Sequence, residues 1–229
     1  MRFAAVAPHG DVAATPELLA AMEELGRRHG GGGTVVVITP HNVHVEGHFA
    51  VVVSARVGDH EVDRELALEL VADIRAAGRP VVGVSYGGND PAEAELPLDW
   101  GTEVPLAWVR ADRVVVVAPA RDRPLEEHIR LGEVIGGRAE ALIASADHGH
   151  AHDAAGPYGF DPAAAEYDRR FCDLVETGDF RPLAELVDAA KADSLWQLLV
   201  LQGALRGRKL ELLAYAAPTY YGMAVAAAA

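Results

Sequence analysis

Ten histidines occur in this chain of 229 residues, and several of them follow segments that the sequence predicts to be strands. His9 follows the first such segment in VAPHG, and His41 follows the second in VVVITPHN. A later segment, in ALIASADHGHAH, is followed by His148, His150 and His152. Open α/β sheets bind ligands beyond the carboxyl ends of their strands, so convergence of these imidazoles is our first hypothesis. Neutral imidazole is the commonest protein ligand for zinc, iron and copper, and two histidines with a carboxylate leave open positions for substrate and dioxygen.

The other histidines allow more than one interpretation. The spacing of His148, His150 and His152 suits chelation, whereas the Asp and Gly around them suit a mobile loop. Two histidines follow His41 closely, namely His44 and His48. They either line the same pocket or lie exposed on a loop. Three lie among Gly, Arg, Asp and Glu and are expected at the surface, namely His29, His60 and His128.

The elements that must position these residues predict an α/β fold. Short β-branched or Ala-rich runs alternate with segments of 3.6-residue periodicity, as in a sheet covered on both faces by helices. Thr15-Pro16 and Asp161-Pro162 each combine an N-cap with a proline at the first helical position. The predicted strands are residues 2–7, 34–39, 49–57, 80–85, 113–118, 139–145 and 209–216. The predicted helices are residues 16–28, 62–77, 125–135, 162–176, 182–189 and 194–205.

The organisation of the chain favours a single domain over residues 1–229, with a mixed central sheet flanked by helices and a metal pocket at the strand ends. No internal repeat and no long linker of Pro, Ser and Gly divides it. The four glycines at 30–33 follow a predicted helix and precede a predicted strand. Phosphate loops run from a strand to a helix N-terminus, so these glycines are better interpreted as a flexible connection.

The composition argues against several classes of partner. Twenty Lys and Arg oppose thirty-four Asp and Glu, which gives a formal net charge of −14. Nucleic acids and anionic membrane surfaces call for clustered Lys and Arg, so we expect neither as a partner. Apolar runs stop after about seven residues, well short of the roughly 20 in a membrane span. A single cysteine, Cys172, and an N-terminus without a signal-peptide pattern predict a cytoplasmic protein.

Five segments in order, VAPHG, VITPHNVHVEGHF, LDWGTEVPL, SADHGH and YAAPTYYGM, resemble the class III extradiol ring-cleavage dioxygenase superfamily over nearly the whole chain. This superfamily includes the catalytic subunit of protocatechuate 4,5-dioxygenase, an enzyme of aromatic catabolism, and the Memo proteins. The resemblance implies that His9 and His41 bind Fe(II). It assigns the acid and base role to His150, because the family histidine ends a Ser-x-Asp-x-x-His pattern that Ser145 and Asp147 begin here.

The resemblance also implies a glutamate ligand near the last strand, where this chain has Ala216. A methyl group cannot bind iron, so either another carboxylate substitutes or His150 completes a three-histidine site like that of Memo. Without the family carboxylate we expect iron to be held weakly. The candidate substitutes in nearby motifs are Glu46, Glu103 and Glu211.

Further residues are candidates for the pocket itself. The resemblance makes Trp100 a pocket wall, but an aromatic residue in an apolar segment is more often a core anchor, and we favour the core for Trp100 and Trp108. Asp147 either orients an imidazole or satisfies backbone amides at a turn. Other possible pocket residues are Tyr158, Tyr220 and Tyr221. An anionic substrate would require nearby cations, for which the candidates are Arg56, Arg110 and Arg121.

The favoured hypothesis is an oxidoreductase that opens the ring of a catechol-like aromatic diol with dioxygen. His9 and His41 would hold Fe(II), and His150 would transfer protons, a task suited to a group that titrates near neutrality. The family implies a small partner subunit or self-association. One alternative is a Memo-like metal-binding or interaction protein without ring cleavage. A second is a hydrolase that uses zinc and a bound water of lowered pKa.

Overall fold

A mixed sheet of eight strands runs through the centre of the protein. The computed structural model describes residues 1–228. The strands are β1 Phe3–Ala7, β2 Thr34–Ile38, β3 Phe49–Val52, β4 Arg56–Val57, β5 His60–Glu61, β6 Val81–Val84, β7 Glu95–Leu96, β8 Arg113–Ala118, β9 Ala141–Ser145, β10 Leu210–Ala216 and β11 Met223–Ala228. The order in the large sheet is β10-β11-β1-β9-β2-β8-β3-β6, and β5, β4 and β7 form a small separate sheet.

The centre of the large sheet is parallel. β9 lies between β1 and β2 and pairs in parallel with both, and β2 pairs in parallel with β8. β11 runs antiparallel to β1 and β10, and β3 runs antiparallel to β8, which makes the sheet mixed. The carboxyl ends of β1, β9 and β2 therefore meet at one edge. The loops that carry the candidate histidines leave from that edge.

Helices cover the sheet, and the two starts predicted from Thr-Pro and Asp-Pro are confirmed. The Thr15 hydroxyl accepts a hydrogen bond from the amide of Leu18, and the Asp161 carboxylate accepts one from the amide of Ala163. The helices are α1 Pro16–His29, α2 Arg64–Ala76, α3 Trp100–Trp108, α4 Leu125–Gly136, α5 Pro162–Leu174, α6 Val187–Ala190 and α7 Leu195–Leu205. Two short 3-10 turns cover Val12–Ala14 and Arg181–Glu185.

The core lies between the sheet and its helices. All five residues of β1 and of β9 are buried, as expected for parallel strands covered on both faces. α7 is apolar around most of its circumference and packs closely on α4. Glycines permit this approach, because a Cβ on Gly132 would overlap the backbone of Val200 and one on Gly203 would overlap that of Ile129.

Several sequence predictions need correction. The predicted strand 49–57 is interrupted after β3, and the predicted helix 182–189 divides into the 3-10 turn Arg181–Glu185 and α6. α3 was not predicted, because Gly101 and Pro105 interrupt its sequence. β11 was not predicted either, because alanine favours helices; here burial beside β1 and β10 overrides that propensity.

Two histidines expected at the surface are buried instead. The ring of His29 packs edge-on against Phe3, with 5.1 Å between ring centroids. The ring of His128, in α4, packs edge-on against Phe49 at 5.2 Å. Charged neighbours in the sequence misled the prediction, because they stay exposed or half-buried while each imidazole turns toward the core. His60 is half-buried in β5.

None of the helices in residues 1–228 has the length and apolar character that a membrane crossing requires.

Candidate metal centre

His9 and His41 meet at the carboxyl edge of the sheet. His9 lies two residues beyond the end of β1, and His41 lies three residues beyond the end of β2. Their Nε2 atoms are 2.9 Å apart, and their rings are nearly perpendicular at an interplanar angle of 87°. The structure thus brings together the two imidazoles that the sequence assigned to one metal.

Asp193 adds a third potential metal-ligand atom to this pair, and we call His9, His41 and Asp193 the donor group. Its Oδ2 lies 3.4 Å from Nε2 of His9 and 3.5 Å from Nε2 of His41. Two ligand atoms that are each about 2.1 Å from one ion lie about 3.0 to 3.4 Å apart at the angles found in octahedral and tetrahedral sites. The three donor atoms therefore have the spacing to hold a single metal ion.

Burial of the donors supports the same interpretation. Asp193 and His9 are both more than nine-tenths buried, and the second carboxylate oxygen of Asp193, Oδ1, has no hydrogen-bond partner among the described residues. A buried carboxylate without sufficient partners is costly unless a cation or a proton balances it. The two imidazole nitrogens and the carboxylate oxygen are donors that suit a divalent transition metal.

The pKa shifts show how strongly these groups interact. Burial lowers the pKa of His9, but the negative charges of Asp147 and Asp193 outweigh burial and leave the pKa raised. Burial raises the pKa of Asp193, but hydrogen bonding to His41 and His9 outweighs it and holds that pKa below its usual range. Burial raises the pKa of Asp147. Two carboxylates beside two imidazoles make this a site that attracts positive charge.

Ser145 and Asp147 fix the orientation of His9. The Oγ of Ser145, the last residue of β9, lies 3.0 Å from Nδ1 of His9. If Nδ1 carries the proton and donates it to Ser145, Nε2 is left with a lone pair for a metal. Asp147 accepts a hydrogen bond from the His9 amide at 3.1 Å, and its Oδ2 lies 3.5 Å from Nε2 of His9. Asp147 therefore contacts both the backbone and the imidazole of His9.

His150 lies in the same cavity but outside the donor group. Its Nδ1 lies 2.7 Å from the carbonyl oxygen of His148, so Nδ1–H donates there and Nε2 is left as a possible base. The Tyr221 ring stacks on the imidazole, with 5.6 Å between ring centroids. Gly10 allows Tyr221 to take this position, because a Cβ on Gly10 would overlap the tyrosine ring. The third donor beside His9 is thus Asp193 rather than His150.

A cavity of about 950 Å³ opens over this edge of the sheet. Of the tyrosines proposed for the pocket, Tyr158 lines it, while Tyr220 packs on both Tyr221 and the imidazole of His150. His44 also lines the cavity, whereas His48 is exposed and turns back to the carbonyl of Glu46. The wall of this cavity also includes His41, Arg121, His150, Lys191, Asp193 and Trp196.

Trp100 is not the core anchor that we favoured. Its side chain is 57% exposed, and its ring lies 4.5 Å from that of His41. Both residues line a smaller neighbouring cavity of about 370 Å³. Exposure follows from its place at the first residue of α3, on the helix end that faces the site. Trp108, at the other end of α3, packs against the core as expected.

The carboxylates proposed as substitute ligands lie elsewhere. Glu46, Glu103 and Glu211 are all exposed and do not belong to the donor group. Glu211 forms an ion pair with Arg28 at 2.8 Å. Among the arginines proposed for an anionic substrate, Arg121 lines the large cavity, while Arg56 lies in the small sheet and Arg110 is exposed beyond α3.

Two residues near the site have roles that the sequence did not reveal. Asp193 precedes α7, where an aspartate normally indicates a helix cap; its side chain instead turns toward His9 and His41. His152 pairs with the buried carboxylate of Asp168 at 2.8 Å, and Asp168 also accepts hydrogen bonds from the Gly149 amide and the Tyr215 hydroxyl. Asp168 thus anchors the loop that carries His150.

Comparison with known proteins identifies a similar fold but no activity. No family model matches this sequence, and a search of curated proteins gives no significant match. Among solved structures, the chain is similar to the crystal structure of the uncharacterized protein JW3007 from Escherichia coli K12, with a TM-score of 0.66 and 16% sequence identity over 100% of both chains. At this identity the similarity shows a common fold alone.

Proposed function

We propose that this protein is a non-haem iron dioxygenase that opens the ring of a catechol-like substrate. The observation that carries the proposal is the group of two histidines and one aspartate at the sheet edge. Two imidazoles and one carboxylate on one face, with open positions beside them, are the ligand set typical of Fe(II) oxygenases. In this proposal Asp193 supplies the carboxylate that Ala216, at the position of the family glutamate, cannot provide.

Each residue of the site has a defined task in this proposal. His9, His41 and Asp193 would hold Fe(II), which would supply the activation of the diol and of dioxygen. Asp193 contributes a negative charge that balances part of the metal charge. His150 accepts a proton from a diol hydroxyl at Nε2, because its Nδ1–H is bound to the carbonyl of His148. Stacking on Tyr221 holds the imidazole plane during that transfer.

The net reaction adds both atoms of dioxygen to the diol and breaks one carbon–carbon bond of the ring. It needs no external reductant, so a site with one metal and one acid–base residue is sufficient. The aromatic residues Tyr158 and Trp196 on the cavity wall suit a planar ring. A cytoplasmic location and a partner subunit or self-association remain predictions from the sequence.

A zinc hydrolase is the second candidate, because the same donor set also holds catalytic zinc. In that case the metal would lower the pKa of a bound water, and His150 would accept its proton. A Memo-like binding protein is less well supported, since His150 is not among the donors around His9.

The reaction catalysed by protein loaded with Fe(II) or with Zn(II) distinguishes the dioxygenase from the hydrolase. Protein freed of metal is loaded anaerobically with Fe(II), mixed with a panel of catechols in air, and followed by oxygen uptake and by the yellow absorbance of ring-opened products. We expect one dioxygen consumed per substrate, loss of activity in Asp193→Ala, and retention in the exposed-carboxylate control Glu103→Gln. Hydrolysis of esters or amides by Zn(II)-loaded protein, without oxygen uptake by the Fe(II) form, would contradict the proposal and favour the hydrolase.

A further inference from the structure

Two cationic side chains lie on the wall of the large cavity, in a protein whose net charge is −14. Arg121 lies three residues after β8, and Lys191 directly follows α6. Within residues 1–228, neither side chain has a carboxylate oxygen within 4 Å, so their charges are not neutralised by ion pairs. Unpaired cations on the wall of a cavity are available to a ligand.

The local structure restrains the side chain of Arg121 and fixes the backbone of Lys191, and both side chains are exposed at the cavity wall. The guanidinium carbon of Arg121 lies 4.8 Å from the ring centroid of Trp196, a cation–π contact that restrains the side chain on the cavity wall. Lys191 has a left-handed backbone conformation, with φ of 55°, and its amide is bound to the carbonyls of α6. Lys191 is two residues from Asp193, so one short segment contributes both a cation and a metal donor to the site.

Carboxylates on the same wall do not cancel these charges. Asp122 accepts a hydrogen bond from the Gly47 amide at 2.6 Å. Asp188 is exposed to solvent, as Arg121 and Lys191 are, and among residues 1–228 it forms no ion pair with either of them. Asp193 is engaged with His9 and His41. The wall therefore presents two cationic side chains, Arg121 and Lys191, in the same cavity as Asp193 and His41.

We propose that Arg121 and Lys191 form a subsite that binds a carboxylate carried on a side arm of the aromatic substrate. This inference rests on the proposed function for the identity of the ring. The planar guanidinium matches a carboxylate in shape and hydrogen-bonding geometry, and the lysine adds a second point charge. A single diol ring would fill only a small part of about 950 Å³, which leaves room for such an arm. A local cationic pair also offsets the repulsion that a strongly acidic protein exerts on an anion.

Direct binding tests the subsite without relying on catalysis. Dihydroxybenzoate and dihydroxyphenylpropionate are each compared with the neutral amide by calorimetry, using protein dialysed against EDTA. We expect the wild type to bind each acid more tightly than its amide. Arg121→Gln and Lys191→Gln should each raise the Kd of the acids about 10-fold and leave the Kd of the amides unchanged, while Arg121→Lys retains part of the preference.

Arg56→Gln is the matched control, because Arg56 is exposed in the small sheet, outside the cavity. This substitution should change neither the Kd of the acids nor the Kd of the amides. Equal affinity of the wild type for acid and amide would overturn the proposal, as would an unchanged acid Kd in Arg121→Gln. Acid selectivity that depends on Arg121, without ring opening by the Fe(II) form, would preserve the subsite and reject the dioxygenase. Ring opening of acids and amides with equal KM would preserve the dioxygenase and reject the subsite.

Discussion

Nε2 of His9 lies 2.9 Å from Nε2 of His41, although 32 positions separate the two residues in the sequence. Two protonated nitrogens would repel each other at this distance, so at least one of them presents a lone pair. Ser145 beside Nδ1 of His9 is placed to hold the proton on that nitrogen and leave the lone pair on Nε2. The two imidazoles are therefore arranged to bind one cation, with Asp193 as the third ligand.

Removal of the hydroxyl of Ser145 should weaken metal binding. Ser145→Ala leaves Nδ1 of His9 without its partner, so the imidazole is less firmly oriented and less basic. We expect a 10- to 100-fold higher Kd for Fe(II), measured by anaerobic titration with a competing chelator. Ser54→Ala is the control, because Ser54 is equally buried but its hydroxyl has no partner. Identical Kd values for both variants would show that Ser145 does not orient the ligand.

Replacement of His150 should separate binding from chemistry. His150→Ala removes the base but no metal donor, so metal content should stay near that of the wild type while kcat falls about 10²- to 10⁴-fold. His9→Ala should remove metal and activity together. Metal content is measured by atomic absorption and turnover by product absorbance. If His150→Ala loses metal as readily as His9→Ala, His150 is itself a ligand and a three-histidine site is the better description.

The fold was largely predictable because its signals are local. Valine-rich runs predicted the buried strands β2 and β8, and proline after a capping residue predicted the starts of α1 and α5. β11 was missed because a run of alanines has no local preference for strand. Pairing with β1 and β10 decides its structure, and such pairing depends on contacts between residues far apart in sequence.

The candidate site was predictable only in part. Histidines just past strand ends are a signal that the topology of an α/β sheet makes informative, and it found His9 and His41. The aspartate that joins them lies before a helix, where aspartates usually serve as caps, so its type and position gave no indication of a ligand. The expectation of weakly held iron assumed that no carboxylate was present. Asp193 places a carboxylate beside both imidazoles, and the strength of iron binding stays a prediction for the metal titration.

Close packing of α4 on α7 should make Gly132 intolerant of a side chain. A Cβ at this position would overlap the backbone of Val200, which cannot move away as a flexible side chain can. We expect Gly132→Ala to lower the free energy of unfolding by about 3 kcal/mol, measured by urea denaturation. Gly88→Ala, in a loop with ordinary space around it, should change it by less than about 0.5 kcal/mol. Equal stabilities would show that the helices can separate at little cost.

Burial of His148 should make the protein less stable in mild acid. Burial lowers the pKa of His148 to about 4, whereas an unfolded histidine titrates near 6.5. Between these values the unfolded chain binds the additional proton, so stability present above pH 6.5 is lost as the pH falls toward 4.

The size of this effect follows from the shift. Between pH 7 and 4.5, His148→Gln should reduce the loss in free energy of unfolding by about 2 kcal/mol relative to wild type, as measured by urea denaturation. His48→Gln, at an exposed position, serves as the control, and its free energy of unfolding should depend on pH as that of the wild type does. If the free energy of unfolding of His148→Gln depends on pH as in the wild type, the folded protein accommodates the charged imidazole.

The position of a bound metal tests the central claim most directly. Crystals of the wild type are soaked anaerobically in Fe(II), and the ion is located by anomalous scattering at the iron edge. We predict one iron peak about 2.1 Å from Nε2 of His9, Nε2 of His41 and a carboxylate oxygen of Asp193, with His150 not bound to it. An iron peak bound to His150 without Asp193, or a peak away from His9 and His41, would contradict the account.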